Sequence, residues 1–126
     1  MKTFNIFCFF MATFMFGFIY YVSSLQFPPP PTGVSLSGKA MIYHLSVFFL
    51  LMMFFHLSLF NNGFKQRKSI FYLSMSIILV YAVLDELHQF FVPGRYSSSI
   101  DVLIDFIGIL FASFTYSILE EKKLNL

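Results

Sequence analysis

Apolar residues run through the chain in four long stretches, which short polar segments separate. The stretches cover approximately residues 4–22, 41–60, 70–91 and 100–119. A helix needs about 20 mostly apolar residues to cross the hydrocarbon core of a bilayer. The pattern therefore predicts an all-α integral membrane protein, with one domain over residues 1–126 built as a four-helix bundle of two antiparallel hairpins.

The polar segments contain residues that end helices. Pro28–Pro31 predict an extended polyproline segment after the first helix, and NNGFKQRK predicts a short basic turn after the second. Pro93 and Gly94 end the third helix, and the serines of Ser97–Ser99 can cap the fourth.

The first apolar stretch is predicted to be a retained helix and not a cleaved signal peptide. It is longer than a typical signal-peptide core, and no small-residue cleavage pattern follows it.

Composition agrees with a membrane location. The chain is 58% hydrophobic and 11% charged, whereas soluble domains are about 25% charged. A net charge of +2 gives no support for a nucleic-acid partner. The single cysteine, Cys8, lies in an apolar run and is predicted to be a small buried hydrophobe.

The basic residues predict an orientation in the cell membrane. Six of the eight fall on one side of the predicted hairpins: Lys2, Lys65, Arg67, Lys68, Lys122 and Lys123. Lys39 and Arg95 fall on the other side. Because basic residues accumulate in cytoplasmic loops, both termini are predicted to be cytoplasmic and the loop that contains Arg95 to face outward.

Candidate chemistry is concentrated between Leu84 and Gly108. This segment holds four of the six acidic residues together with a histidine, a glutamine and an arginine: Asp85, Glu86, His88, Gln89, Arg95, Asp101 and Asp105. Ionisable side chains are costly in a bilayer, so they usually face protein or water and indicate a functional site. The second helix begins on the same side with Lys39 and His44, which we expect to reach these groups, whereas His56 is predicted to be a packing residue.

Residue spacing predicts how these groups face one another. Asp85, His88 and Gln89 are three and four residues apart, so they share one helix face. Asp101 and Asp105 share a face of the fourth helix, which continues through the small residues Gly108 and Ala112 and allows another helix to approach closely. The short turn between these helices brings the two polar faces together at one end of the bundle.

Four neighbouring carboxylates need compensation. Protonation, a divalent cation, or positive charge from Arg95, Lys39 and the histidines could each provide it. The candidate metal ligands are Asp85, Glu86, His88, Asp101 and Asp105. Oxygen-rich ligation would favour Mg²⁺, Ca²⁺ or Mn²⁺ over Zn²⁺.

The motif DELHQFFVPGR followed by SIDVLIDFIG resembles the VanZ-like family of small membrane proteins. The family combines an acidic–Gln element, the sequence PGR, and an aspartate followed by a glycine on the next helix. The matching residues are Glu86, Gln89, Pro93, Gly94, Arg95, Asp101 and Gly108. The chain departs from the family where Asp105 replaces a common asparagine, where Val47 replaces a frequent glutamate, and in the wider spacing of Lys39 and His44.

The resemblance implies a role in the cell envelope. The namesake of the family is associated with resistance to teicoplanin, a glycopeptide with a lipid tail, and no settled biochemical activity accompanies the family. The resemblance therefore favours a polar site in the outer leaflet that binds an amphiphilic or lipid-linked molecule and affects lipoglycopeptide susceptibility.

Other interpretations of the polar residues remain open. They could form a purely structural cluster in which Arg95 bridges Glu86 and Asp101, a metal-dependent enzyme acting on a lipid or phosphate substrate, or an ion pathway. The sequence lacks a nucleophile elbow, a phosphate-binding glycine loop and an HExxH element, which disfavours an enzyme. A pathway would need polar groups at the bilayer midplane, where the sequence offers few.

Overall fold

Four α-helices form the part of the chain that the structure, a computed structural model, describes: residues 2–26, 38–60 and 68–125. Their bounds are α1 Lys2–Ser23, α2 Gly38–Leu59, α3 Lys68–Phe90 and α4 Ser99–Leu124. Each helix is long and apolar enough to cross a membrane. The all-α four-helix prediction is therefore confirmed.

The helices begin and end within three residues of the predicted apolar stretches, except at the end of α4. This helix continues to Leu124 instead of ending at residue 119, through a stretch that carries Glu120, Glu121 and Lys122. The predicted polyproline segment Pro28–Pro31 and most of the basic turn between α2 and α3 lie outside the described residues.

The turn between α3 and α4 follows from its local sequence. Gly94 has a φ of 80°, a left-handed conformation that glycine adopts without steric cost. Ser98 then caps α4, because its side chain accepts a hydrogen bond of 3.1 Å from the Ile100 nitrogen. The predicted serine cap is thereby confirmed.

Small residues bring α2 and α4 into close contact. A Cβ atom added to Gly108 would lie 2.7 Å from the Leu45 carbonyl oxygen and 3.2 Å from the Phe49 nitrogen, so the two backbones touch at this point. Ala112, one turn further along α4, is fully buried. The small-residue stripe is thus used inside the bundle, with α2 as its partner.

The helices α1 and α4 lie on opposite sides of the α2–α3 pair. Among the described residues α1 contacts α2 and α3 but not α4. The central core includes Phe48, Leu51 and Ile78, which are fully buried. Cys8 is also buried, as predicted.

His56 belongs to the packing at the other end of the bundle. Its fully buried ring stacks on Phe71 with ring centroids 4.4 Å apart, and its Nε2 lies 2.9 Å from the Ser74 Oγ. This confirms its predicted packing role. The outer surface of the bundle carries many exposed phenylalanine and leucine side chains, which suits contact with lipid.

Candidate functional site: a polar cluster at one end of the bundle

Six polar side chains from three helices meet near the end of the bundle where α3 ends and α2 and α4 begin. We call them the polar cluster: His44 from α2, Asp85, Glu86 and Gln89 from α3, and Asp101 and Asp105 from α4. All are buried except Asp101, which is partly exposed. His44 and Asp105 each lie six residues into their helices, or roughly 9 Å from the helix ends. The cluster is therefore set back into the bundle, with Asp101 on its outer side.

A histidine–aspartate pair joins α2 to α4. The Nδ1 atom of His44 lies 3.0 Å from the Oδ1 atom of Asp105. On the other side of the ring, the Nε2 atom of His44 lies 3.9 Å from the Oε1 atom of Glu86, which is too long for a hydrogen bond. The ring thus has one hydrogen-bonded nitrogen and one nitrogen that faces a carboxylate across a gap.

Glu86 connects the end of α3 to the start of α4. Its Oε2 accepts a hydrogen bond of 2.9 Å from the Ser98 backbone nitrogen, and its Oε1 accepts one of 3.3 Å from the Gln89 Nε2. The same amide nitrogen of Gln89 donates to the Asp85 Oδ2 at 2.9 Å. Gln89 therefore holds the two neighbouring carboxylates of α3 together.

Arg95 contacts the end of α1. Its guanidinium donates hydrogen bonds to the carbonyl oxygens of Val22 and Leu25, the former a short contact and the latter 3.1 Å long. Val22 lies in the last turn of α1, where carbonyl groups lack their usual helical partners, and Leu25 lies just beyond the helix end. The arginine thus adds hydrogen bonds to the carbonyl groups at this end of α1. The two acid–base contacts of His44, with Glu86 and Asp105, lie within the cluster, and the bridge from Arg95 to Glu86 and Asp101 stays an untested alternative.

Two other predicted site residues lie apart from the cluster. The Nε2 atom of His88 is 3.0 Å from the Ser24 Oγ, and its ring packs 4.9 Å from the Tyr20 ring, so this histidine faces α1. Lys39 is exposed in the first turn of α2 and lies about 140° around the helix from His44. Of the predicted site, the structure therefore brings together the four carboxylates, Gln89 and His44.

Three members of the cluster have the geometry of a cation site. His44, Glu86 and Asp101 each offer one ligand atom, and these atoms lie within 4.8 Å of one another. His44 was expected near the cluster but not among the metal ligands, because nothing local to α2 indicates which helix it faces. The feature of the sequence that could have indicated this ligand is the position of His44, which lies near the start of α2 at the same end of the bundle as the acidic residues.

Asp105 has an incompletely satisfied carboxylate. The side chain is fully buried, and its Oδ2 atom has no hydrogen-bond partner among the described residues. A buried carboxylate oxygen without a donor is unfavourable and is usually explained by a water, an ion or a strained state. The cluster therefore contains a buried acceptor atom that the described side chains leave unsatisfied.

Apolar grooves flank the first half of α4. One groove lies between α3 and α4, has a volume of about 380 Å³, and is lined by Leu79, Val83, Ser99, Val102, Leu103 and Phe106. A second, of about 360 Å³, lies between α2 and α4 and is lined by Leu45, Ser46, Phe49, Leu50 and Phe111. Val102 and Leu45 directly follow Asp101 and His44 in the chain, so both grooves lie at the same depth along the helices as the polar cluster, on neighbouring helix faces.

Comparison with known proteins gives one match. A sequence model of the VanZ/LLP1 family matches residues 2–120 and so covers all four helices and the whole polar cluster. Curated proteins and solved structures give no significant match. This chain, a four-helix protein with a polar cluster at one end, belongs to the VanZ/LLP1 family.

Proposed function

We propose that this protein binds an amphiphilic, lipid-linked molecule in the cell envelope, with the polar head group at the polar cluster and the tail along α4. The observation that carries the proposal is the position of the α3–α4 groove. Its lining is apolar apart from Ser99, which lies in the first turn of α4 together with the partly exposed Asp101. An apolar groove that ends at a few polar groups is typical of sites for amphiphiles.

The charges of the cluster favour a head group that donates hydrogen bonds. Four carboxylates lie at this end of the bundle, and Lys39 lies exposed outside the cluster. Hydroxyl and amino groups, as on a sugar or an amine, complement carboxylates better than a phosphate does. We therefore propose a polar head group of this kind, and an effect of the protein on lipoglycopeptide susceptibility.

The role of the α3–α4 groove in binding is tested by filling the groove with a larger side chain. Leu103→Trp places a bulky ring in the α3–α4 groove, whereas Leu110→Trp makes the same change two turns further along the exposed side of α4. We expect Leu103→Trp to weaken binding of teicoplanin by about tenfold or more, equivalent to about two buried CH₂ groups. Binding is measured on protein in nanodiscs, with empty nanodiscs to subtract partition into lipid and a glycopeptide without a lipid tail as a comparison.

Three results would contradict the proposal. They are equal binding to protein-containing and empty nanodiscs, equal effects of Leu103→Trp and Leu110→Trp, and equal binding of the tailed and tail-less compounds. The first of these would favour the purely structural interpretation of the cluster.

A second function is favoured by one specific observation. Because His44, Glu86 and Asp101 present ligand atoms within 4.8 Å of one another, we also propose that the polar cluster accepts a divalent cation. Such an ion would offset the carboxylate charge that would otherwise be costly inside the bundle. The cation does not require the amphiphile, so the two proposals can fail separately.

A further inference from the structure

We infer that the cation is a transition metal ion such as Zn²⁺ or Mn²⁺, bound by the His44 Nε2, Glu86 and Asp101, with Asp105 as the residue that orients His44. The inference rests on the proposed cation site and adds its ligand set, its ion class and a role for Asp105. It is carried by the geometry of the His44–Asp105 pair, whose nitrogen and oxygen atoms lie 3.0 Å apart.

The two faces of the His44 ring have the arrangement of a metal-binding histidine. Such histidines bind the metal through one nitrogen and donate the proton on the other to a carboxylate or carbonyl oxygen, which sets the tautomer and the ring orientation. The Nδ1 of His44 lies 3.0 Å from Asp105 Oδ1, and a proton on Nδ1 leaves the lone pair of Nε2 available to an ion. The Nε2 is the nitrogen that faces Glu86.

The distance from His44 to Glu86 suits two ligands of one ion. Atoms that each lie about 2.1 Å from a metal are at most about 4.2 Å apart. The distance from His44 Nε2 to Glu86 Oε1 is 3.9 Å, longer than a hydrogen bond and within this limit. Asp101 is partly exposed, so its carboxylate can adjust and can admit the ion from the surface.

Charge and ligand type select the class of ion. Glu86 and Asp101 together balance a divalent cation, while neutral His44 adds no charge. Imidazole suits Zn²⁺, and carboxylate suits Mn²⁺, so one imidazole with two carboxylates fits both of these ions, whereas Mg²⁺ and Ca²⁺ prefer sites made only of oxygen. Asp105, which lies against His44, is fully buried, and its Oδ2 has no hydrogen-bond partner among the described residues.

The test uses the full-length protein in detergent after chelation, with Zn²⁺, Mn²⁺, Mg²⁺ and Ca²⁺ added one at a time. Bound metal is measured by elemental analysis after equilibrium dialysis, and the melting temperature is measured in parallel. We expect one Zn²⁺ or Mn²⁺ per chain with a raised melting temperature, and much weaker binding of Mg²⁺ and Ca²⁺.

Matched variants separate ligands from neighbours. His44→Gln should abolish tight Zn²⁺ binding, while His88→Gln, the same change in a histidine that faces α1, should not. Asp101→Asn should abolish it and Asp85→Asn should not. Asp105→Ala should weaken Zn²⁺ binding about 10- to 100-fold but keep the preference for Zn²⁺ over Mg²⁺, as expected of a positioning residue.

Pulsed electron paramagnetic resonance of Mn²⁺ on the unmutated protein gives a readout that does not depend on the folding of any variant. It should detect a directly bound imidazole nitrogen. If Mg²⁺ or Ca²⁺ binds as tightly as Zn²⁺, or no nitrogen is bound, the inference is wrong although the cation site stands. If no cation binds at one per chain, both the inference and the proposed cation site are wrong.

Discussion

At the scale of single residues, Glu86 combines two roles that mutation can separate. One carboxylate oxygen accepts the Ser98 backbone N–H at the start of α4, and the other faces His44. The first role needs an acceptor atom, whereas the second needs a negative charge or a metal ligand. A glutamine keeps the acceptor and removes the charge, while an alanine removes both.

We therefore expect Glu86→Ala to lower the free energy of unfolding by about 1–3 kcal/mol, because it leaves the Ser98 N–H without its acceptor. Glu86→Gln should cost less than Glu86→Ala in the absence of metal, yet lose the stabilisation that Zn²⁺ provides. The measurement is thermal unfolding in detergent, with Glu121→Ala on the exposed side of α4 as a control. Equal losses for Glu86→Ala and Glu86→Gln without metal would mean that charge, and not the acceptor, stabilises this turn.

Residue spacing predicted part of the cluster correctly. The separation of four residues between Asp85 and Gln89 placed both on one face, and the structure joins them by a hydrogen bond of 2.9 Å. His88 was predicted on the same face, but consecutive helical residues are about 100° apart, so His88 and Gln89 can face different helices. Spacing within one helix could not reveal that His88 would face α1 and that His44 would take its place.

At the scale of helices, the contact between α2 and α4 positions the site. Gly108 lies three residues after Asp105, and its contact with the Leu45 backbone sets the distance between the two helices. Because Leu45 directly follows His44, the same approach that needs a glycine also brings His44 to Asp105. The glycine and the histidine–aspartate pair are thus two parts of one helix–helix contact.

A methyl group at Gly108 should push these helices apart. We expect Gly108→Ala to lower the free energy of unfolding by about 1–3 kcal/mol, as overpacking commonly does, and to weaken Zn²⁺ binding. Gly17→Ala is the matched control, because a Cβ atom there would have nothing within 4 Å. Its effect should stay within about 1 kcal/mol and be neutral or favourable, since alanine is a better helix former.

If the two glycine variants unfolded at the same temperature, the close approach of α2 and α4 would not contribute to stability.

The helices themselves were predictable because a long apolar stretch and the Pro, Gly and Ser residues that bound it are local features. Their partners were not, since packing between distant segments determines that α4 meets α2 and that α1 and α4 do not touch.

At the scale of the whole molecule, the four helices place both termini at the end of the bundle opposite the polar cluster. The ends of α1 and α3 meet through Arg95, and the starts of α2 and α4 meet through His44 and Asp105. The distribution of charge predicts which end faces the cytoplasm. The excess of basic residues near the termini predicts that this end is cytoplasmic and that the polar cluster faces outward, as a role in binding envelope molecules requires.

Cysteine labelling in intact cells tests this orientation. In a Cys8→Ala background, Ser97→Cys places an exposed thiol beside the polar cluster, and Glu121→Cys places one near the opposite end. A maleimide that cannot cross membranes should label Ser97→Cys in intact cells, and Glu121→Cys only after the cells are permeabilised. The reverse result would put the polar cluster on the cytoplasmic side, where an envelope ligand or an extracellular glycopeptide could not reach it. The cation inference would survive that result, because the ligand atoms of His44, Glu86 and Asp101 converge whichever side they face.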